Sequence, residues 1–343
     1  MVCIGIMGAT GYTGLELLRI LTQHPGVEVC WVGSESFPDV KLEDYCPAWR
    51  GRSNLILQKQ EVENLEGVEV VFLGLPSGVA MDYVPSLLQK GIRVIDLGAD
   101  FRLKNVEAFQ KYYRLEHRVP HLLQEAVYGI PEIYREELKT ARLVANPGCY
   151  PTSVIIPLYP FLREKIVSPS IIVDSKSGVT GAGKKPTEDN QFCEVDENFK
   201  AYKVGEHRHQ PEIKEQLELA AQREINLVFT PYLLPLKRGI LTTIYLTLEK
   251  DVKEEELLSI WKDYWKDKPW VRIFPLHRFP ELRWVVGSNF IDLGLKKVGE
   301  NQLIVISALD NLVKGAAGQA VQNLNLMLGR EEREGLPEDV LYP

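Results

Sequence analysis

The first fourteen residues constrain the fold most. Val2-Cys3-Ile4-Gly5-Ile6-Met7 is an apolar run of strand length without polar alternation, which reads as a strand buried on both faces. It runs straight into Gly8-Ala9-Thr10-Gly11-Tyr12-Thr13-Gly14. An amphipathic stretch from Leu15 to about Gln23 follows, stopped by Pro25-Gly26. Strand, glycine turn and helix in that order form a dinucleotide fingerprint, here spaced G-x-x-G-x-x-G. The glycines let backbone approach a pyrophosphate, and the helix start offers it N–H donors. Gly8, Thr10, Gly11, Tyr12, Thr13 and Gly14 are therefore the nucleotide-binding candidates. The bland alternative is a plain βα turn.

The pattern then repeats. Val27 to Val32 reads as a second strand, followed by Gly33-Ser34-Glu35-Ser36. An NAD enzyme usually ends this strand in an acid that holds the ribose hydroxyls. Ser34 and Ser36 instead offer hydroxyls to a 2′-phosphate, with Arg50 or Arg52 as helpers, while Glu35 argues the other way. The balance favours NADP. Val68 to Leu75 is a third strand, ending in Gly74-Leu75-Pro76-Ser77-Gly78, with a helix from about Val79 to Gln89. Ile92 to Leu97 is a fourth, running into Gly98-Ala99-Asp100-Phe101-Arg102. Arg102, just past a strand end, is placed to grip a carboxylate or phosphate, or to form an ordinary ion pair. Two short helical patterns fill 103–142, and Leu143-Val144-Ala145 ends a fifth strand. Strands alternating with helices predict a parallel, doubly wound sheet.

That fifth strand leads into Asn146-Pro147-Gly148-Cys149-Tyr150-Pro151-Thr152. Pro151 suits the first turn of a helix, which puts Cys149 at a helix start. Unpaired N–H groups and the positive dipole end there favour a thiolate. A cysteine is as often a small buried apolar residue, so the position alone does not make it a nucleophile. Beyond it, Ile171 to Lys176, Ile240 to Leu248, Trp284 to Asp292 and Leu303 to Ala308 read as strands with fewer helices between them. They predict a second, α+β domain with a largely antiparallel sheet. Ser177-Gly178-Val179-Thr180-Gly181-Ala182-Gly183-Lys184-Lys185 is a glycine-rich basic loop, suited to an anionic substrate or to a flexible connection. Asp310 is placed to cap a last helix, Leu312 to about Leu328, on which Gly315, Ala316, Gly318 and Ala320 form a small face.

His207-Arg208-His209-Gln210-Pro211-Glu212 is the one dense histidine motif among six histidines. Pro211 reads as opening a helix, which leaves both histidines in the preceding loop and Glu212 in the first turn, placed to orient an imidazole. An H-x-H loop with no third ligand nearby is too sparse for a metal site. Paired with a nicotinamide site, a cysteine and a histidine have a specific chemistry. The thiolate captures an acyl group as a thioester, hydride reduces it to an aldehyde, and the histidine moves protons.

Charge and composition narrow the classes. Hydrophobic content of 45% and charged content of 25% over 343 residues allow two domains with large cores. A net charge of −7 argues against a general nucleic-acid or membrane-surface binder. No apolar run reaches the roughly 18 residues of a membrane span. Five cysteines without metal spacing do not make a disulfide framework and fit a reducing cytosol, and the start of the chain shows no signal pattern.

These motifs together resemble one family, the N-acetyl-γ-glutamyl-phosphate reductases, within the wider group of aspartate-semialdehyde and glyceraldehyde-3-phosphate dehydrogenases. The resemblance runs from Gly8–Gly14 through Asp100-Phe101-Arg102-Leu103, Asn146–Thr152, Ser175–Gly183 and His207–Glu212. It continues in Leu234-Pro235-Leu236-Lys237-Arg238-Gly239 and in Asp310–Ala320. It implies that Cys149 is the acyl-accepting nucleophile and His207 the acid/base, oriented by Glu212. It also implies substrate contacts from Arg102, Asn146, Ser177, Gly178 and His209, and cofactor contacts from Pro76, Ser77 and Asn323. The chain departs from the usual pattern at Ser77, where the family has histidine, and at Gly98, where it has serine.

The fold expected is a Rossmann-type dinucleotide-binding domain, 1–148 with 312–343, plus an α+β catalytic and oligomerisation domain, 149–311. The activity the resemblance implies is NADPH-dependent reduction of N-acetyl-γ-glutamyl phosphate to the 5-semialdehyde in arginine biosynthesis. The enzyme would be a cytoplasmic homo-oligomer, dimer or tetramer, without a metal. Two rivals stand beside this. One is a reductase of a carrier-protein-linked glutamyl or aminoadipyl phosphate; the other is a non-catalytic NADP-sensing protein, which needs neither Cys149 nor the histidine pair.

Overall fold

The computed structural model describes residues 1–341; Tyr342 and Pro343, which the sequence reading assigns to the nucleotide domain, lie outside the described residues. The chain divides into two units, residues 1–147 with 316–336 and residues 148–315 with the chain from Pro337 on.

The first unit is built on β1 (Val2–Met7), β2 (Val27–Gly33), β3 (Leu57–Gln58), β4 (Val70–Leu73), β5 (Arg93–Asp96), β6 (Val127–Tyr128) and β7 (Leu143–Ala145). They form one sheet in the order β3-β2-β1-β4-β5-β7-β6, and every pairing is parallel. The order reverses between β1 and β4, the switch point at which open α/β sheets hold ligands beyond their strand ends. β4 and β7 are buried at every residue, as a parallel sheet covered on both faces requires. Helices Tyr12–Leu21, Ala80–Gln89 and Gly318–Met327 belong to this unit. On β1 and β2, Cys3 and Cys30 face each other with their Cα atoms 5.7 Å apart, a neighbouring that the scattered cysteines did not suggest.

The second unit holds β8 (Ser170–Gly178), β9 (Lys200–Ala201), β10 (Asn226–Leu234), β11 (Ile240–Thr247), β12 (Val271–Ile273), β13 (Ile291–Val298) and β14 (Gln302–Leu309). Their order is β12-β13-β14-β11-β8-β10-β9. Only β12–β13 and β8–β10 pair in parallel, so the sheet is largely antiparallel. Helices Cys149–Arg163, His209–Ala221 and Glu254–Trp265 pack against it and against one another. β8 alternates accordingly: Ile171, Val173, Ser175 and Ser177 are buried, and Ile172 is exposed. A buried hydroxyl chain ties the first of these helices to the sheet. Ser153 Oγ lies 2.8 Å from Thr242 Oγ1, and Ser175 Oγ lies 2.7 Å from the same atom.

Three sequence expectations are corrected. The apolar stretch from Trp284 is not a strand: it turns through Gly287, at φ +91°, and the strand begins at Ile291. The last helix is not uniform: a π-helical turn, Val313–Ala317, precedes the α-helix Gly318–Met327. The first unit does not keep the chain's end. Asn289 N donates to Pro337 O at 2.9 Å and Leu341 N to Val286 O at 2.8 Å, which ties the tail to the second unit.

Among the described residues, no helix is long and apolar enough to cross a membrane.

Candidate active site

In the second unit, Cys149 is the first residue of the helix Cys149–Arg163, with Gly148 as an extended N-cap at φ −69° and ψ 156°. The cysteine is half-buried and outside any disulfide. Thr152 N already donates to Gly148 O at 3.1 Å, and Pro151 has no N–H. The donors without a helical acceptor at this end are therefore the amides of Cys149 and Tyr150.

The cap is held from a second helix. Glu212 Oε1 accepts the Gly148 amide at 2.9 Å, and the carboxylate is 1% exposed. Glu212 reaches it because its helix begins at His209, two residues earlier than Pro211 suggests. A proline in the first turn costs nothing, since its missing N–H has no acceptor there.

His207 lies just before that helix, 6% exposed. Its Nδ1 accepts the His209 amide at 3.1 Å, and its Nε2 is 3.4 Å from the Tyr202 hydroxyl. Glu212 is not a hydrogen-bond partner of His207, contrary to the expectation from sequence. Burial first, then the charges of Arg208 and Lys203, push the His207 pKa down to about 3. The ring is therefore neutral. Because Nδ1 accepts an N–H, the network assigns the ring proton to Nε2, facing Tyr202. From there the Tyr202 hydroxyl is 3.2 Å from that of Tyr150, which donates to Tyr232 O at 3.3 Å. Burial, with the nearby Cys149 charge, pushes Tyr202 up to about 12. Burial also holds Tyr150 well above the ordinary phenol range, against a hydrogen bond from Ser177. His209 is half-buried, its ring 4.9 Å from that of His207 and 5.9 Å from that of Tyr150. Tyr202 was missed from sequence, where it belongs to no motif. Tyr150 stood inside the cysteine motif, and burial of its ring beside His207 marks it.

Ser177 and Gly178 end β8 beneath the 234–239 turn. A Cβ on Gly178 would meet Arg238 N at 2.8 Å and Leu236 O at 2.9 Å. Asn311 fastens the same turn, accepting from Gly239 N at 2.8 Å and donating to Thr180 Oγ1 at 2.9 Å. The basic loop is thus anchored at its start, while Lys184 and Lys185 are exposed.

In the first unit the glycine turn has the shape that a nucleotide needs. Gly8 has φ +78°, and a Cβ there would come within 2.3 Å of Gly74 O. A Cβ on Gly14 would come within 2.4 Å of Gly8 O, so the helix Tyr12–Leu21 starts hard against the strand end. Gly11, by contrast, has room for a side chain: a Cβ there would meet Gly8 O at an ordinary 3.5 Å. Tyr12 is exposed and Thr13 half-buried on the same turn. Ser34 is only 1% exposed, with its hydroxyl 3.1 Å from Thr10 Oγ1; it braces the glycine turn. Ser36, Arg50 and Arg52 lie at the surface. Pro76 is exposed and Ser77 half-buried after β4.

Arg102 does not stand open for a ligand, as its place past a strand end suggested. It is 7% exposed, with Nε donating to Asn146 O and Nη2 to Leu97 O, both at 2.8 Å. It braces the ends of β5 and β7. Asn146 and Asn323 are both fully buried and joined: Asn323 Nδ2 donates to Asn146 Oδ1 and to Gly129 O, each at 3.0 Å. Asn323 Oδ1 has no partner, so one buried acceptor is left over beside the strand ends. That orphan acceptor and the open glycine cradle fit a dinucleotide. Beneath them Asp96 is fully buried, its pKa raised to about 7 by burial first and by Asp100 next.

Residues 3–141 match the family model described as the semialdehyde dehydrogenase NAD-binding domain, and residues 149–311 match the semialdehyde dehydrogenase dimerisation domain. The chain is 47% identical to the N-acetyl-gamma-glutamyl-phosphate reductase of Desulfotalea psychrophila, with 100% of both chains covered. It is 44% identical to the enzyme of that name from Acetivibrio thermocellus, again over 100% of both. Among solved structures it is similar to Vibrio cholerae aspartate semialdehyde dehydrogenase II complexed with ASA, with a TM-score of 0.74 at 17% identity, covering 96% of this chain and 98% of that one. The Candida albicans aspartate semialdehyde dehydrogenase with NADP gives 0.72 at 17%, with the same coverage. At that identity the two structures bear on the fold alone.

Proposed function

We infer the roles of these residues from the premise that the chain belongs to the N-acetyl-γ-glutamyl-phosphate reductase family, whose relatives match it from end to end. It is an oxidoreductase that reduces N-acetyl-γ-glutamyl phosphate to N-acetylglutamate 5-semialdehyde in arginine biosynthesis. The observation that carries the mechanism is Cys149 at the first position of a helix whose cap is clamped by Glu212.

Cys149 Sγ attacks the acyl carbon, a C–S bond forms, and the C–O bond to phosphate breaks. The Cys149 and Tyr150 amides donate to the oxyanion of the tetrahedral intermediate. When bound, the nicotinamide nucleotide supplies the hydride that turns thioester into semialdehyde. The glycine turn Gly8–Gly14 holds its pyrophosphate, with Pro76 and Ser77 beside it, and Asn323 Oδ1 offers the buried acceptor. His207 is neutral with its one proton on Nε2, held by the His209 amide on Nδ1, and it turns that proton from the long Tyr202 contact to the developing negative charge. Glu212 acts on the cysteine's helix instead of on the imidazole. Ser177, Gly178 and His209 line the substrate side; Arg102 and Asn146 shape the strand ends from within.

The cofactor is NADP(H) in this reading. What supports it is that β2 ends in Gly33, with Ser34 next and no acid at either position, and that Ser36, Arg50 and Arg52 are exposed. The cytoplasm is the compartment that fits a biosynthetic reductase. A second copy of the chain is the partner. The second unit's sheet exposes Ile172 at 49%, Val228 at 50% and Tyr245 at 41% on its outer face, an apolar strip that a dimer would cover. Val228→Asp should then lower the mass seen in sedimentation without lowering the helix signal; an unchanged mass would exclude this face.

The activity is tested by phosphate-dependent oxidation of N-acetylglutamate semialdehyde by purified protein with NADP. Turnover without phosphate dependence, or none at all, would refute the reading.

A further inference from the structure

Gly315 lies in the π-helical turn Val313–Ala317, with its N–H donated to Asp310 O at 2.9 Å. Its φ is not positive, so backbone conformation does not demand a glycine there. Space does. A Cβ built on Gly315 would stand 2.8 Å from Cys149 Cβ, and 3.3 Å from both Cys149 Cα and Asp310 O. The obstacle is Cβ, which is fixed by the backbone, so no change of the Cys149 rotamer relieves it.

The turn beneath is rigid for reasons independent of Cys149. Asp310 is fully buried; its Oδ1 accepts from Leu312 N at 2.8 Å and Val313 N at 3.1 Å. Its Oδ2 accepts from Gly287 N at 2.8 Å and pairs with Arg238 at 3.5 Å. The Cys149 helix is itself held by the Glu212 clamp on Gly148. The start of that helix is therefore held at its cap by a carboxylate and met at Cys149 by a bare Cα.

We propose that Gly315 is a positioning residue for the Cys149 thiol. Its missing side chain lets the π turn serve as the floor on which the first turn of the cysteine's helix rests. Carbon atoms pack at about 3.5–4.0 Å, so even a methyl at 315 forces that turn back by about 1 Å. The retreat takes the thiol off its line of attack and strains the Gly148–Glu212 bond. The proposal rests on Cys149 being the nucleophile.

Gly315→Ala tests it with four readouts: kcat, nucleotide Kd, Tm, and the pH dependence of iodoacetamide alkylation, measured on the Cys149 peptide by mass spectrometry. The expected result is a kcat loss of about 10²-fold, the usual consequence of a 1 Å misplacement. Alkylation at neutral pH should slow about tenfold as the thiol pKa rises by about one unit. NADPH Kd should stay within about twofold, because the glycine turn belongs to the other unit. A wild-type alkylation profile would overturn the proposal whatever happens to kcat or Tm, since a glycine that serves only packing leaves the thiol's titration alone. If Gly315→Ala does not fold, Asp310→Asn loosens the floor by setting an amide NH₂ against the Gly287 N–H. It should move the profile in the same direction by less, and an unmoved profile again overturns the idea. Should Cys149→Ala keep full activity, the nucleophile reading fails instead, while a shifted alkylation profile would still report the Gly315 contact.

Discussion

Glu212 Oε1 and the Gly148 amide stand 2.9 Å apart, joining the first turn of the helix His209–Ala221 to the cap of the helix that starts at Cys149. A catalytic-looking carboxylate next to a histidine pair thereby holds the nucleophile's backbone. Removing the acceptor leaves a buried N–H unpaired, which costs about 1–3 kcal/mol. Glu212→Ala should therefore lower both Tm and kcat. Glu212→Gln keeps an oxygen at that place and should retain most of both, with the pH–rate profile unmoved. A Gln variant as damaged as the Ala variant, with a displaced acid limb, would mean that the charge acts on His207 after all.

His207 is buried neutral, with a pKa near 3 against an ordinary value of 6.5. The unfolded chain binds the extra proton between those values and the folded chain does not. Its stabilising effect is thus complete above about pH 6.5 and is lost as pH falls toward 3. Tm of the wild type should drop across that window by more than Tm of His207→Asn. The same substitution should lower kcat by about 10²–10⁴-fold, as loss of a proton-handling group does. It should remove no limb between pH 6 and 8, because His207 does not titrate there. A limb near pH 6.5 that vanishes in His207→Asn would contradict the neutral-donor assignment.

Cofactor choice separates two serines that look alike in sequence. Ser34 hydrogen-bonds Thr10 under the glycine turn, whereas Ser36 is exposed. Ser34→Ala should weaken NADPH and NADH together, by loosening the turn that both share. Ser36→Glu should cut kcat/KM for NADPH by at least tenfold and spare NADH, since a carboxylate repels a 2′-phosphate and welcomes ribose hydroxyls. Wild-type kcat/KM values that are equal for the two cofactors would end the NADP assignment.

Much of this was legible because it is local. Val2–Met7 and the glycines after it announce a buried strand and a tight turn within fourteen residues, and Asp310 reads as a helix cap and is one. Leu57–Gln58 and Val127–Tyr128 were not legible, since two residues carry no period. The apolar Trp284–Val286 run misled for another reason. Val285 is buried and its neighbours are half-buried, but the Gly287 amide goes to Asp310 and the Asn289 amide to Pro337, so no ladder continues there. At the site, sequence proximity stood in for contact. His207 and Glu212 are close in the chain, yet the earlier helix start turns the carboxylate toward Gly148. Tyr202 touches His207 across a loop that no motif marks.

In this mechanism Cys149 carries the acyl group as a thioester. This is tested most directly by mixing enzyme with N-acetyl-γ-glutamyl phosphate in the absence of nucleotide, quenching in acid, and mapping the acyl adduct by peptide mass spectrometry while phosphate release is followed. A burst of about one phosphate per chain and an N-acetylglutamyl group on the Cys149 peptide are expected, both absent in Cys149→Ala. An adduct on Cys193 or Cys46, or full turnover with NADPH but no burst and no adduct, would contradict it.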